Sequence, residues 1–304
     1  MSEARSISLA HESQSWSRIL GETIKTGIIR SNLVVMFAGL SVALYTNQIS
    51  PLEKIPEIIL AILGSSLVIG AAGTLNNVYD RDIDSIMDRV KNRPTVTGAI
   101  TLAQALWLGG GMSVLGLVLL WLASPLAALF GFLGLFAYAV AYTMWSKRHT
   151  IYNTEIGSLS GAMPPLIGWA AITSDFNMGA LGLFVVMLLW QMPHFYAIAI
   201  RRHDEYKAAG IPMLPVVKGF RRTYLQTNFY LVALIASSFL FMSLSVWVVA
   251  IALVLSIAWL VISIVGSKRM QPEKWATTLF IFSLNHVTVL FTVIILYSII
   301  GSFL

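Results

Sequence analysis

Long apolar stretches recur along this chain and are separated by short polar connections. One helix needs about 20 apolar residues to cross the hydrocarbon core of a bilayer. About nine stretches of this length can be marked, near 28–47, 57–76, 102–122, 124–143, 154–172, 178–200, 226–246, 248–266 and 277–300. The shortest connections lie at Pro125 and near Trp247. The pattern predicts an all-α integral membrane protein of about nine transmembrane helices,.

The composition agrees with a membrane protein. The 304 residues are 57% hydrophobic and 11% charged, with a mean hydropathy of +0.78, whereas soluble domains carry roughly 25% charged residues. No polar stretch is long enough for a second domain, so we expect a cytosolic lead-in at 1–27, unlike a signal peptide, and a single transmembrane domain at 28–304,. The absence of cysteine excludes disulfides, thiolate catalysis and cysteine-bound metals,.

The basic residues are sorted by side. With the N-terminus inside, all 20 Lys and Arg residues except Lys54 fall on inner segments, as the positive-inside rule requires. This predicts a multi-pass plasma-membrane protein with a cytoplasmic N-terminus, cytoplasmic active-site loops and an outer C-terminus. The net charge of +6 follows from this sorting and does not indicate a nucleic-acid partner,. The polar segments 76–94, 142–153 and 201–222 all fall on the inner face.

An acidic motif follows the second apolar stretch. Asn76, Asp80 and Asp84 are spaced four apart, which places them on one stripe of a helix,. Acids beside hydrocarbon are costly and usually mark function. Oxygen ligands without nearby His or Cys suit Mg²⁺, which takes one or two carboxylates, water and substrate phosphate. The alternative is a solvated helix end whose acids pair with neighbouring arginines; the concentration of acids favours a functional site.

A second polar segment follows the sixth stretch. Arg201 and Arg202 precede Asp204, and such a cluster can bind a second Mg²⁺ or the other side of a diphosphate, or be an ordinary charged loop. His194, within the sixth stretch, is either a hydrogen-bonded packing residue or a substrate contact, including a ligand to iron. In the fifth stretch, prolines at 164 and 165 break the helix and widen a central cavity,.

The acidic motif resembles the first diphosphate motif of the UbiA-type intramembrane prenyltransferases. Three further stretches, at 92–100, 142–169 and 190–219, resemble the branch of that superfamily whose acceptor is haem. The chain departs from the wider family at Asn77, where many relatives have Asp, and at Ala208, where a second aspartate is usual. The second departure weakens the case for a second Mg²⁺ site.

The resemblance implies a helical fold around a central cavity that opens to the cytosolic face. It implies transfer of the farnesyl group of farnesyl diphosphate to a vinyl group of haem B, with addition of water. The implied Mg²⁺ ligands are Asp80, Asp84 and Asn76, which with Lys147 and Tyr142 form the catalytic set. The implied substrate-binding residues are Arg89, Arg93, Arg201, Arg202, Asp204, His194 and Asn153. A haem A synthase or a terminal oxidase is the implied recipient of the product.

Three alternatives remain open from the sequence. The acceptor can be a quinone precursor or a chlorin instead of haem. A membrane transporter also uses intramembrane acids, although transporters place them near the midplane and here they cluster at helix ends. A non-catalytic haem-binding protein would bind haem without releasing diphosphate.

Overall fold

The computed structural model describes residues 15–302, and every regular element within them is helical. Part of the predicted lead-in at 1–27 lies outside the described residues. The α-helices are α1 (Trp16–Thr23), α2 (Thr26–Thr46), α3 (Ile55–Tyr79), α4 (Arg81–Asp84), α5 (Pro94–Thr97), α6 (Leu102–Ala123), α7 (Pro125–Phe136), α8 (Lys147–His149), α9 (Asn153–Gly161), α10 (Met163–Ile172), α11 (Met178–Arg201), α12 (His203–Ala208), α13 (Leu214–Ser237), α14 (Val246–Arg269) and α15 (Pro272–Ser302). A π-helix, Ala137–Ser146, joins α7 to α8.

Within residues 15–302, eight continuous helical segments are long and apolar enough to cross a membrane. They match eight of the nine predicted stretches. The remaining stretch, 154–172, is divided at Ala162 into α9 and α10. Pro164 and Pro165 lie in the first turn of α10, where a missing backbone N–H costs no helical hydrogen bond,. The predicted break at these prolines is confirmed.

The boundary predicted at 226 was wrong. Helix α13 begins at Leu214, and its charged first turns include a kink at Gly219, whose φ is +74°. The basic residues in these turns resemble a polar connection in sequence. In the structure a helical turn before Gly219 meets the longer, apolar part of α13 at the kink. Glycine adopts this left-handed conformation without the steric cost of a side chain.

The outer surface of the bundle is apolar. Trp107 and Trp247 are 83% and 73% exposed, while many Ser, Thr and Asn side chains, and two Asp side chains, are buried. A soluble protein distributes these groups in the opposite way, because water and not hydrocarbon then covers the surface. The distribution therefore supports a bilayer environment for the long helices.

The centre of the bundle is held by close contact between α2 and α10. A Cβ atom at Gly39 would overlap the backbone of Pro165, and one at Gly168 would overlap the backbone of Met36. Small residues allow two helix backbones to approach closely in membranes. The second half of the broken helix is thereby fixed against the first span.

The three polar segments meet at one end of the bundle. Ile83 and Met87, which follow α3, share an apolar cluster with Ile211 and Met213. Asn153 Nδ2 donates to the carbonyl of Pro212 at 3.3 Å. The structure therefore brings together the segments that the charge pattern placed on one face.

Candidate active site

The acidic motif continues the helical path of α3. The Asp80 amide donates to the Asn76 carbonyl at 2.9 Å, and the Asp84 amide donates to the Asp80 carbonyl at 2.8 Å. Asn76, Asp80 and Asp84 are 3%, 0% and 2% exposed as residues. The spacing of four residues thus places two carboxylates and one amide on successive turns, and all three are buried.

Three cations pair with the aspartates, one from the same polar segment and two from α8. Lys147, at the start of α8, forms an ion pair with Asp80 Oδ2, and Arg93 forms one with Asp84 Oδ2. Arg148 binds both oxygens of Asp82 at 2.7 Å and lies 3.5 Å from Asp80 Oδ1. Because buried charges are stable only when paired, these cations allow the carboxylates to stay inside the bundle.

The Asn76 amide connects three parts of the chain. Its Nδ2 donates to Asp80 Oδ2 at 2.6 Å and to Thr143 Oγ1 at 3.0 Å, on the π-helix. Its Oδ1 accepts a hydrogen bond from Lys25 Nζ at 2.5 Å. Lys25 lies between α1 and α2 and has a left-handed backbone, with φ +58°, which is uncommon for a residue other than glycine. The network therefore fixes the orientation of Asn76 towards Asp80.

The electrostatic environment favours a bound anion. Burial raises the pKa of Asp84 despite the opposing charges of Arg93 and Lys147. Burial, together with repulsion from Arg93 and Lys147, holds the pKa of Lys25 well below its usual range. By contrast, the hydrogen bonds from Arg148 lower the pKa of Asp82 to about 2. A polyanion arriving here would relieve the repulsion among the cations.

The donor set fits a hard divalent cation. Asp80 Oδ1 is buried and accepts no hydrogen bond among the described residues. Asp84 is paired through Oδ2 alone within the same part of the chain. In residues 15–302 no three His, Asp or Glu side chains converge, but Mg²⁺ is typically bound by one or two carboxylates, with water and substrate phosphate as its other ligands. Asp80 Oδ1, which accepts no hydrogen bond within the described part of the chain and lies 3.5 Å from Arg148, is available to such an ion.

Several predicted residues lie next to this cluster. Tyr142 is in the π-helix beside Thr143, with its ring centroid 5.6 Å from that of Tyr138. Asn153 is fully buried and donates to the Thr150 carbonyl at 2.8 Å as well as to Pro212. Asn153 therefore connects two polar segments and holds their positions. Arg89 is exposed on the loop between Asp84 and Arg93.

The structure does not bring the predicted second cluster into the site. Asp204 has a 98% exposed side chain and bonds to His203 at 2.9 Å. Arg202 pairs with Glu205 at 2.8 Å, and the Arg201 guanidinium lies 4.7 Å from the centre of the Phe280 ring. These side chains are engaged with one another or with α15. Position 208 is alanine, so it offers this cluster no second carboxylate.

His194 also lies away from the acidic cluster. Its Nδ1 is 2.7 Å from Ser283 Oγ on α15, and its ring stacks on Trp190 with centroids 4.7 Å apart. The ring of Phe280 stacks on it as well, at 5.1 Å. These contacts are those of a packing residue between α11 and α15.

Three members of the site were absent from the sequence-based set: Lys25, Arg148 and Thr143. Lys25 is 51 positions from Asn76, and Arg148 is 66 positions from Asp82. The only signal was their occurrence in segments assigned to the inner face. Charge sorting placed both cations on the same face as the acidic motif but could not pair them.

Comparison with known proteins agrees with this site. The model of the UbiA prenyltransferase family matches residues 32–285. The chain therefore belongs to the UbiA prenyltransferase family. It is 67% identical to the protoheme IX farnesyltransferase of Shouchella clausii, covering 97% of this chain and 95% of that one. It is 65% identical to protoheme IX farnesyltransferase 1 of Bacillus cytotoxicus, covering 94% of both chains.

Solved structures support the fold. The structure of a UbiA homolog from Archaeoglobus fulgidus bound to GPP and Mg²⁺ matches with a TM-score of 0.68 and 15% identity, covering 94% of this chain and all of that one. A structure of digeranylgeranylglyceryl phosphate synthase matches with a TM-score of 0.73 and 18% identity, covering 94% and 98%. The helical arrangement is therefore that of intramembrane prenyltransferases.

Proposed function

We propose that this protein transfers the farnesyl group of farnesyl diphosphate to a vinyl group of haem B, with addition of water, giving haem O and diphosphate. The relatives that cover nearly the whole chain are farnesyltransferases of protoheme IX. The observation that carries the proposal is the buried pair Asp80 and Asp84, surrounded by cations, with one Asp80 oxygen that accepts no hydrogen bond in the described residues and has only the Arg148 guanidinium near it, at 3.5 Å.

The residues around this pair have complementary tasks. Asp80, Asp84 and Asn76 would hold Mg²⁺, which when bound supplies positive charge that stabilises the departing diphosphate. Arg93 and Lys147 form ion pairs with the two aspartates. When substrate binds, they can also contact oxygens of the diphosphate. Preorganised cations of this kind stabilise charge that develops in the transition state.

The bond changes balance without a further reactant. The allylic C–O bond breaks and leaves its electron pair on diphosphate. The vinyl group of haem forms the new C–C bond with its own electron pair, and the resulting cation is captured by water, which loses a proton. Tyr142 and Tyr138 form an aromatic wall beside the cluster; such a wall excludes water from the farnesyl cation and stabilises positive charge.

The test is a reconstituted reaction. Purified protein is incubated with haem B, farnesyl diphosphate and Mg²⁺, and the porphyrin product is identified by its mass. We expect haem O with Mg²⁺ and none after chelation with EDTA. Parallel reactions with a quinone precursor or a chlorin test the alternative acceptors. Diphosphate release with one of these and not with haem B would contradict the proposal.

The product is an amphiphile and stays in the membrane. We therefore propose that a haem A synthase or a terminal oxidase in the same plasma membrane receives it, with the active-site loops facing the cytoplasm. Mass spectrometry of haems extracted from membranes with and without the gene tests the first part. Labelling of single cysteines placed at Lys54 and at Arg89 tests the orientation, because the two should react from opposite sides.

A further inference from the structure

A groove lies between α13 and the two residues that precede α9; both α9 and α13 pack on α11. One lobe, of about 320 Å³, is lined by Tyr152, Phe229 and Tyr230. A second lobe, of about 380 Å³, is lined by Ile151 and Leu214. Both lobes share Tyr152, Arg222 and Gln226, so they form one continuous groove.

The inner wall of the groove is rigidly held. Gln226 Nε2 donates to Glu155 Oε1 at 2.7 Å, and the Tyr230 hydroxyl donates to the same oxygen at 3.4 Å. Tyr196 of α11 also donates to it. Because these bonds join α9, α11 and α13, the wall is formed before any ligand arrives. A preformed wall reduces the ordering cost of binding.

One end of the groove is cationic and the other is apolar. Lys218 and Arg222 line it and are exposed, and neither forms an ion pair within residues 15–302. Gly219, with its left-handed backbone, lies between them. At the other end Leu225 and Phe229 are 58% and 67% exposed, on the surface of a membrane-spanning helix. The groove therefore opens towards lipid.

The groove adjoins the acidic cluster. Ile151 and Tyr152 lie two and three residues after the end of α8, whose Lys147 pairs with Asp80. On the other side, Leu214 follows Met213, which packs with Ile83 of α4. The same short segments thus border both the groove and the site at which diphosphate would leave.

We propose that this groove binds the haem acceptor, with Lys218 and Arg222 holding its two propionates; this rests on the proposed function. Haem is a flat apolar ring with two carboxylates on one edge, which matches two unpaired cations next to a wall of Tyr152, Phe229 and Tyr230. A prenyl diphosphate fits less well, because the groove lining contains no carboxylate to hold Mg²⁺, and the site with such groups lies beside it. Charge complementarity and aromatic contact together select the porphyrin.

The first arm of the test measures binding without turnover. Haem B is titrated into the purified protein in phosphatidylcholine nanodiscs, and the Soret absorbance gives Kd. The double variant Lys218→Glu, Arg222→Glu should weaken binding by at least about 10-fold, because two attractive pairs become repulsive. The matched control is Lys207→Glu, Arg221→Glu, which makes the same charge change at exposed residues outside the groove lining. It should leave Kd within about twofold.

The second arm changes the ligand. Haem B dimethyl ester has no propionate charge, so the unaltered protein should bind it at least about 10-fold more weakly than haem B. The charge-reversed groove variant should bind diester and diacid with nearly equal affinity. Equal Kd values for haem B in the groove variant and the control would overturn the proposal, as would tight binding of the diester to the unaltered protein.

The two proposals fail in different ways. Haem binding that depends on Lys218 and Arg222, without any formation of haem O, would refute the proposed function and leave the groove as a haem site. Formation of haem O with the same KM for haem B in the groove variant and in the control would refute the groove and leave the reaction intact.

Discussion

Two carboxylate clusters, one buried and one half-buried, lie in the same bundle and differ in the groups that surround them. Asp80 is paired with Lys147 and lies near Arg148, and the neighbouring Asp84 is paired with Arg93. Glu155 accepts hydrogen bonds only from uncharged groups in the described residues, namely two tyrosine hydroxyls and one amide. The first cluster lies at helix ends, and the second connects three helices.

The difference separates a site that handles charge from one that holds structure. Ion pairs at Asp80 and Asp84 can be exchanged for a metal ion and a diphosphate, because each partner keeps a counter-charge throughout. Neutral donors around Glu155 have no such exchange available; they converge on its Oε1 oxygen and join three helices there,. We therefore expect substitutions in the first cluster to alter turnover and substitutions in the second to alter stability.

The largest expected effect is at Asp80. Asp80→Asn keeps the shape of the side chain and removes the charge, so turnover should fall roughly 100- to 1,000-fold, the range seen when one preorganised electrostatic contact is lost. Asp82→Asn is the matched control, because Asp82 is 64% exposed and pairs with Arg148 at the surface. Its turnover should change less than about fivefold. Initial rates of haem O formation, normalised to inserted protein, measure the effect of both variants. Equal losses of turnover in the two variants would contradict a special role for Asp80.

The pH dependence tests Asp84. An aspartate must be ionised to hold Mg²⁺, and burial raises the pKa of Asp84. Activity should therefore be lost, as pH falls, at a higher pH than for an ordinary aspartate. Arg93 opposes this shift, so Arg93→Gln should move the acid limb of kcat/KM to still higher pH, with a loss of roughly 10-fold at neutral pH. An acid limb unchanged in Arg93→Gln would show that Asp84 is not the group that titrates.

The contrast between the clusters also explains what the sequence could predict. A spacing of four residues defines one face of a helix, so the sequence alone could predict the stripe formed by Asn76, Asp80 and Asp84. The structure shows this stripe. The helix break at Pro164 could likewise be predicted, because proline acts on the helix that contains it,. The Glu155 cluster takes its members from α9, α11 and α13, so no spacing reveals it. The partners of Lys25 and Arg148 likewise depend on how segments that are distant in sequence pack together.

A smaller effect is expected at Glu155, and it should appear in stability. Glu155→Leu leaves the hydroxyls of Tyr196 and Tyr230 without their carboxylate acceptor, while the Gln226 amide keeps its bond to the Tyr196 hydroxyl at 2.9 Å. We expect a cost of about 2–3 kcal/mol. Glu155→Gln keeps an oxygen acceptor and should cost less than about 1 kcal/mol. Thermal unfolding in nanodiscs compares the two variants. Equal destabilisation would mean that Glu155 acts through its charge, as Asp80 does.

The smallest effect is expected at His194, which belongs to neither cluster. His194 and Tyr196 are two positions apart on α11 and contact different neighbours: His194 bonds to Ser283 on α15, and Tyr196 bonds to Glu155 on α9. The proposed haem groove lies on the Tyr196 side, so a ligand bound there would not need His194. His194→Gln retains a hydrogen-bonding group for Ser283 and should change turnover less than about threefold.

The spectrum of bound haem makes this prediction sharper than turnover alone. If haem lies in the groove, the Soret band of haem-loaded protein should be the same for His194→Gln and for the unaltered chain. A shifted Soret band together with a large loss of turnover would identify His194 as a ligand to iron. That result would place haem on the α15 side of α11, away from Lys218 and Arg222. The His194→Gln substitution therefore distinguishes the two possible haem sites on either side of α11.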